Sequence, residues 1–183
     1  MRVIAGEAKG VRLGPVPQGV RPVSDRVREG VFSSLGSVVG DRVLDLFAGT
    51  GAMGIEALSR GAEHARFVDQ ARSSVRSIRD NLTRTHLADR AHVEQAAVAR
   101  SVISQRTDGT RAYDLVVLDP PYDDPVEQVE RVLETVSGGL LAVGGRCIVT
   151  RATRRSEVTI PVHWGVSRRL EYGDTAVLIL REA

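Results

Sequence analysis

From Asp41 onward, short apolar runs alternate with stretches whose apolar residues recur every three or four positions. The runs predict strands at Arg42–Leu46, His64–Val68, His92–Gln95, Tyr113–Leu118, Gly145–Arg151, Ser167–Tyr172 and Thr175–Leu180. The periodic stretches predict helices at Gly54–Arg60, Ala71–Thr85, Val98–Ser104 and Val126–Val136. Val75, Ile78 and Leu82 form one apolar stripe; Val126, Val129, Leu133 and Val136 form another. Strands rich in Val, Leu and Ile that alternate with amphipathic helices imply βαβ units and a mostly parallel sheet. The last two strands depart from this rule. Only Gly173-Asp174 separates them, too short for a parallel crossover, so they must form an antiparallel hairpin.

Before Asp41 the pattern differs. Two short β-like pieces, Arg2–Ala5 and Val11–Leu13, flank Gly6-Glu7-Ala8-Lys9-Gly10 and read as a small hairpin. Ser24 is a candidate N-cap for a helix beginning at Asp25, with Val27, Val31 and Leu35 on one face and Gly36 and Gly40 closing it. The expected organisation is an N-terminal β-hairpin extension over residues 1–20 followed by one α/β domain over 21–183. The fold class this implies is Rossmann-like, a mostly parallel seven-stranded sheet ending in an antiparallel hairpin.

A chain of 183 residues with 42% apolar and 26% charged residues fits one soluble domain. No apolar run approaches the roughly 18–20 residues that span a bilayer, so no membrane association is expected. Met1–Gly6 lacks a signal-peptide apolar region, and the expected location is the cytoplasm. Cys147, the single cysteine, excludes an internal disulfide and reads as a buried strand thiol. His64, His86, His92 and His163 are scattered without ligand spacing, so no metal is expected. A monomer is the default expectation. Net charge is only +2, but residues 1–30 hold Arg2, Lys9, Arg12, Arg21, Arg26 and Arg28 against Glu7, Asp25 and Glu29. That bias suits a phosphate-bearing partner, although arginines also solvate ordinary surfaces.

Two segments carry candidate chemistry. In Val43-Leu44-Asp45-Leu46-Phe47-Ala48-Gly49-Thr50-Gly51-Ala52-Met53-Gly54 a strand turns through glycines into a helix. The glycines permit a tight turn and let backbone N–H groups approach a ligand. Asp69, at the end of the next strand, can accept hydrogen bonds from ribose hydroxyls. A dehydrogenase explains these residues almost as well as a methyltransferase. Asp45 separates the two: a carboxylate so near the turn repels a pyrophosphate but binds the ammonium of a methionine moiety. The bland reading is that Asp45 merely caps its own loop. The expected cofactor set is Asp45, Phe47, Ala48, Gly49, Thr50, Gly51, Asp69 and Gln70, with Asp119 nearby, and the expected cofactor is S-adenosylmethionine.

The second segment is Leu115-Val116-Val117-Leu118-Asp119-Pro120-Pro121-Tyr122. A parallel sheet gathers ligands at its C-terminal strand ends, where this segment delivers Asp119. Pro120 and Pro121 stiffen the backbone and remove two N–H donors, leaving the Asp119 carboxylate and the Pro120 carbonyl as acceptors for an exocyclic –NH₂. Tyr122 offers a face on which a base can stack. Out of context this is an ordinary strand-ending turn. Placed after the glycine turn, Asp119, Pro120, Pro121 and Tyr122 read as the catalytic set of an amino-methyltransferase.

The chain at this point resembles the bacterial 16S ribosomal RNA guanine-N2 methyltransferases of the RsmD type. The resemblance rests on Gly6-x-x-Lys9-Gly10-x-x-Leu13, on Arg21-Pro22-Val23-Ser24-Asp25-Arg26-Val27-Arg28-Glu29-x-x-Phe32, on Asp45–Gly51 running through Gly54–Ala62, on Asp119–Tyr122 and on Tyr172-Gly173-Asp174-Thr175. It implies methylation of one guanine of small-subunit rRNA on N2, in an assembled or assembling 30S subunit. It further implies that the hairpin and the Arg21–Arg28 segment hold RNA, through Lys9, Arg12, Arg21, Arg26 and Arg28. Relatives place an acidic residue against the adenine amine after the third strand. This chain reads Glu94-Gln95-Ala96-Ala97, so Gln95 or backbone at Ala96 takes that role. Two alternatives remain open: an adenine-N6 methyltransferase, and an RNA-binding assembly factor without catalysis.

Overall fold

The computed structural model describes residues 1–20, 23–107, 112–121, 123–153 and 158–182. Seven strands, β1 (Arg42–Leu46), β2 (His64–Asp69), β3 (Ala91–Gln95), β4 (Tyr113–Leu118), β5 (Leu141–Ala152), β6 (Trp164–Tyr172) and β7 (Thr175–Glu182), form one sheet in the order β3-β2-β1-β4-β5-β7-β6. All neighbours are parallel except that β7 runs antiparallel to both β5 and β6. The helices are α1 (Asp25–Leu35), α2 (Ala52–Ser59), α3 (Arg72–Thr85), α4 (Val98–Thr107) and α5 (Val126–Ser137). The Rossmann-like class I methyltransferase architecture expected from the alternating pattern is the one observed.

Strand order reverses between β1 and β4, which lie side by side with Leu46 opposite Leu118. Crossovers on either side of that switch place helices on opposite faces. One face packs α1, α2 and α3 with Val3, Ala8 and Leu13 against Val43, Phe67, Val117 and Ile148. The other packs α4 and α5 against Leu44, Val116, Leu118 and Cys147. The alternation of strand residues between the two cores is the period-2 consequence of the pleat. Cys147 is fully buried, and burial pushes its thiol far above the usual range.

Three element starts differ from the periodicity by two residues or more. β5 starts at Leu141, four residues earlier than its Gly145 start in the sequence reading, because a register shift between Tyr113 and Leu115 lets Gly-containing backbone pair before the apolar run begins. β6 starts at Trp164, three residues before Ser167: buried Trp164 opens the strand, and exposed Val166 and a polar stretch follow it. α2 starts at Ala52, with Gly51 as a left-handed N-cap at φ 75°.

The N-terminal hairpin is reduced to one bridge, Arg2 to Arg12, and its hold on the domain comes from elsewhere. The fully buried Glu56 accepts the N–H groups of Ile4 and Ala5 at 2.8 and 3.0 Å and the Arg60 guanidinium at 2.8 Å. Gly6 adopts φ 84° over the end of α2, where a Cβ would lie 1.7 Å from the Ser59 carbonyl oxygen. The strap is thus welded to α2 by buried polar contacts, and its apolar residues share the main core.

Arg28 corrects an expectation. It is 0% exposed, and its guanidinium donates to the carbonyls of Arg2 and Val23 and to Asp25, with Glu56 at 3.9 Å. Its spacing from Val27 and Val31 turns it inward, so Arg28 clamps the strap to α1 and cannot reach RNA. Removing one partner of a buried pair costs roughly 3–5 kcal/mol. Arg28→Ala is expected to lower the melting temperature by about 10 °C, read by calorimetry.

Candidate active site

The β1–β4 pairing explains how segments seventy residues apart meet. The Asp119 N–H donates to the Leu46 carbonyl at 3.4 Å, so Asp119 leaves β4 beside Phe47, where β1 enters the glycine turn. A cavity of about 820 Å³ opens there, between the turn, α1, the start of α3 and the β6–β7 turn. Phe47, Ala48, Gly49 and Thr50 form its floor, Asp45, Asp69 and Gln70 one wall, and Asp119, Pro120 and Pro121 another.

The turn is built from unusual backbone. Gly49 and Gly51 adopt φ 57° and 75°, and Phe47, which has a Cβ to accommodate, sits at φ 59°. A non-glycine residue there is strained and persists only where its surroundings demand it. Gly51 does not line the cavity; its N–H bonds to Ala48 at 2.7 Å and it caps α2. At Gly54 a Cβ would meet Phe67 at 2.4 Å, so glycine lets α2 lie close on the sheet.

Asp45 is 1% exposed, and one of its oxygens accepts the Gly54 N–H at 2.9 Å. Burial pushes its carboxyl well above the usual range; the Gly54 bond opposes this, and the charges of Asp119 and Asp69 add to it. The loop-capping contact therefore exists alongside a carboxylate facing the cavity. Asp69 is tied down by its own loop, accepting the Gly49 N–H at 2.9 Å and the Ala71 N–H at 2.8 Å. Each oxygen keeps a second acceptor position. The Thr150 hydroxyl, fully buried on β5, donates to the Asp119 carboxylate and orients it.

Other expected residues fall less neatly. Gln95 is exposed, donates to the Gln70 carbonyl at 3.4 Å, and like Ala96 does not line the cavity. The Ala96 N–H bonds to the Asp69 carbonyl, which turns the chain so that Ala97, Val98 and Ala99 form the wall instead. Arg26 lines the cavity and is exposed. Lys9 and Arg12 are exposed on the strap, away from the wall. Arg21 and Tyr122 lie outside the described residues.

The sequence reading missed several wall residues. Gln18, Gly19 and Val20 close one side, and the β6–β7 turn supplies Glu171, Tyr172, Gly173 and Thr175. The Tyr172 hydroxyl lies over Gly30 of α1, where a Cβ would approach it to 1.7 Å. Ser74 also lines the cavity, and its buried hydroxyl has no hydrogen-bond partner among the described residues. Only its place at the start of α3 could have signalled it, and many helices carry serine there.

Fold and site together define a Rossmann-like methyltransferase. The family model described as conserved hypothetical protein 95 matches residues 1–181, and the chain belongs to that family, the RsmD family. Ribosomal RNA small subunit methyltransferase D of Escherichia coli K12 is 36% identical over 188 aligned residues, covering 100% of this chain and 91% of that protein. The YlbH protein of Bacillus subtilis is 35% identical over 189 aligned residues, covering 100% and 99%. Among solved structures, the E. coli YhhF protein superposes with a TM-score of 0.84 at 30% identity, covering 100% of this chain and 97% of that one. A hypothetical protein of Thermus thermophilus gives the same TM-score of 0.84 at 29% identity, covering 100% and 99%.

Proposed function

We propose that this protein transfers a methyl group from S-adenosylmethionine to the exocyclic N2 amine of a guanine in small-subunit ribosomal RNA, in an assembled or assembling 30S subunit. The observation that carries this reading is the convergence of the Gly49 turn and the Asp119-Pro120 acceptors on one cavity. The small-subunit rRNA named for the E. coli relative supports the substrate class.

The residues fit the donor. Three carboxylates, Asp45, Asp69 and Asp119, face one cavity, and the charges of Asp119 and Asp69 add to the cost of ionising buried Asp45, which suits a ligand carrying net positive charge. The Ser74 hydroxyl awaits a polar partner. When bound, S-adenosylmethionine supplies an electrophilic methyl on a sulfonium. Asp45 pairs with its ammonium, Asp69 accepts from ribose hydroxyls, and Phe47 to Thr50 hold the chain between. A neutral hydrogen bond contributes about 0.5–1.5 kcal/mol. Ser74→Ala is therefore expected to weaken S-adenosylmethionine binding about 2- to 10-fold by calorimetric titration, with an unchanged melting temperature.

Asp119 and the Pro120 carbonyl accept the two amine protons and orient the nitrogen lone pair towards the cavity floor. Pro120 and Pro121 present no competing N–H donor. Tyr122 stacks on the base, which must leave any helix to enter. Arg26, Lys9, Arg12 and Arg21 hold phosphates, so the strap over residues 1–20 is part of the RNA surface. The protein acts as a cytoplasmic monomer. The test is transfer of labelled methyl to unmodified small subunits, naked small-subunit rRNA and duplex DNA, followed by nucleoside analysis. N2-methylguanosine from rRNA is expected. N6-methyladenine would replace the substrate, and no transfer despite donor binding would favour a binding factor.

A further inference from the structure

Four arginines, Arg72, Arg76, Arg79 and Arg84, stand exposed along α3 against one acid, Asp80. Arg72, Arg76 and Arg79 are spaced i, i+4 and i+7, which puts them on one side of the helix. That side is exposed and flanks the buried stripe of Val75, Ile78 and Leu82. Among the described residues none of the three guanidinium groups takes part in a hydrogen bond or an ion pair. The series starts at the cavity rim, since Ala71, Ser73 and Ser74 line the cavity on either side of Arg72. The strap meets α3 on its other side, where the Gly14 N–H donates to buried Asn81 at 2.7 Å.

We propose that Arg72, Arg76 and Arg79 of α3 form a docking surface for the sugar-phosphate backbone of RNA flanking the target base. The inference rests on the function proposed above. Two features favour it over a merely solvated helix. The cavity is lined by five carboxylates, Asp45, Asp69 and Asp119 with exposed Asp123 and Glu171, against the one arginine Arg26, so it can admit a base but repels phosphate. The backbone of an entering nucleotide must then be held outside the mouth, where Arg26 stands on one side and Arg72 on the other. The two faces of the molecule also differ in charge balance. On the opposite face, Glu127, Glu130 and Glu134 of α5 are offset by Arg131 and by exposed Arg100 and Arg106 of α4, whereas α3 sets four arginines against one acid.

The test compares Arg72→Gln/Arg76→Gln/Arg79→Gln with a control of equal charge loss on the other face, Arg100→Gln/Arg106→Gln/Arg131→Gln. Binding of naked small-subunit rRNA and of duplex DNA is measured against salt, alongside methyl transfer. Each lost phosphate contact lowers the log–log salt slope by roughly 0.7–0.9. The α3 triple is expected to lose about 2 from that slope and at least tenfold in rRNA affinity. Its KM for RNA should rise, while S-adenosylmethionine affinity and melting temperature stay unchanged. The control should move far less. An unchanged slope in the α3 variant, or an equal loss in the control, overturns the surface. So does a loss confined to duplex DNA. If wild type binds and methylates rRNA while the α3 variant matches it, only the surface fails. If wild type does not bind rRNA, the functional reading fails with it.

Discussion

Asp119→Ala is expected to lower kcat for methyl transfer by about 10²–10³-fold while S-adenosylmethionine affinity changes less than about threefold. The reacting methyl arrives already activated, so this side chain's contribution is to position the amine and accept one of its protons. The Thr150 hydroxyl fixes the carboxylate's orientation, and the Leu46–Leu118 register sets its height over the cavity floor. Truncation removes the acceptor and leaves Asp45 and Asp69, the two carboxylates assigned to contact the donor directly, in place. Asp119→Asn is the sharper variant, because it can keep the Thr150 contact yet turns an N–H₂ donor towards a group that is itself a donor. It too should lose most of its turnover. Single-turnover rates separate chemistry from binding. Near-full turnover in either variant would remove Asp119 from the reaction.

Asp45→Asn is expected to stabilise the ligand-free protein and to cripple donor binding. Burial raises the Asp45 pKa in the fold well above its unfolded value near ~3.9. A group raised in this way favours the folded state below its unfolded pKa, and that stabilisation is lost as pH rises through the folded value. Above that range the ligand-free protein carries the cost of a buried carboxylate. Asparagine can still accept the Gly54 N–H but carries no charge. The two proteins should melt alike in acid, and the variant should gain several degrees as pH rises, each 1 kcal/mol being worth about 2–4 °C at this size. The same ionisation serves the ammonium of the donor. Wild-type affinity for S-adenosylmethionine should climb with pH through that window, while the variant stays flat and about 10- to 100-fold weaker at neutral pH. Wild-type affinity in the variant would reduce Asp45 to a cap for its own loop.

Asp45 and Arg28 illustrate what could be read in advance. Local patterns are short-range, and period-2 and period-3.6 apolar spacing placed β1 and β4 at their observed ends. The glycine turn was legible for the same reason: positive φ and close backbone approach are demands that one residue type meets. Arg28 was misread because an arginine beside a helix start looks like solvated charge. Its burial depends on Glu56 and the Arg2 carbonyl, 28 residues later and 26 earlier in the chain. The place of Gln95 outside the cavity lining was equally illegible, since the Ala96 bond to Asp69 decides which residues turn towards the cavity.

The sequence alone determined the order of elements, the parallel sheet with its terminal hairpin, and the two motifs that bear chemistry. Those properties follow from periodicity and from backbone constraints carried within a few consecutive residues. Only the tertiary structure decided that α1, α2 and α3 share a face with the strap, and that Ser74 and Tyr172 join the cavity wall. It alone brought Thr150 onto Asp119 and started the exposed arginine row of α3 at the cavity rim. These depend on strand order and on the hand of the crossovers, which bring together residues that no local pattern connects.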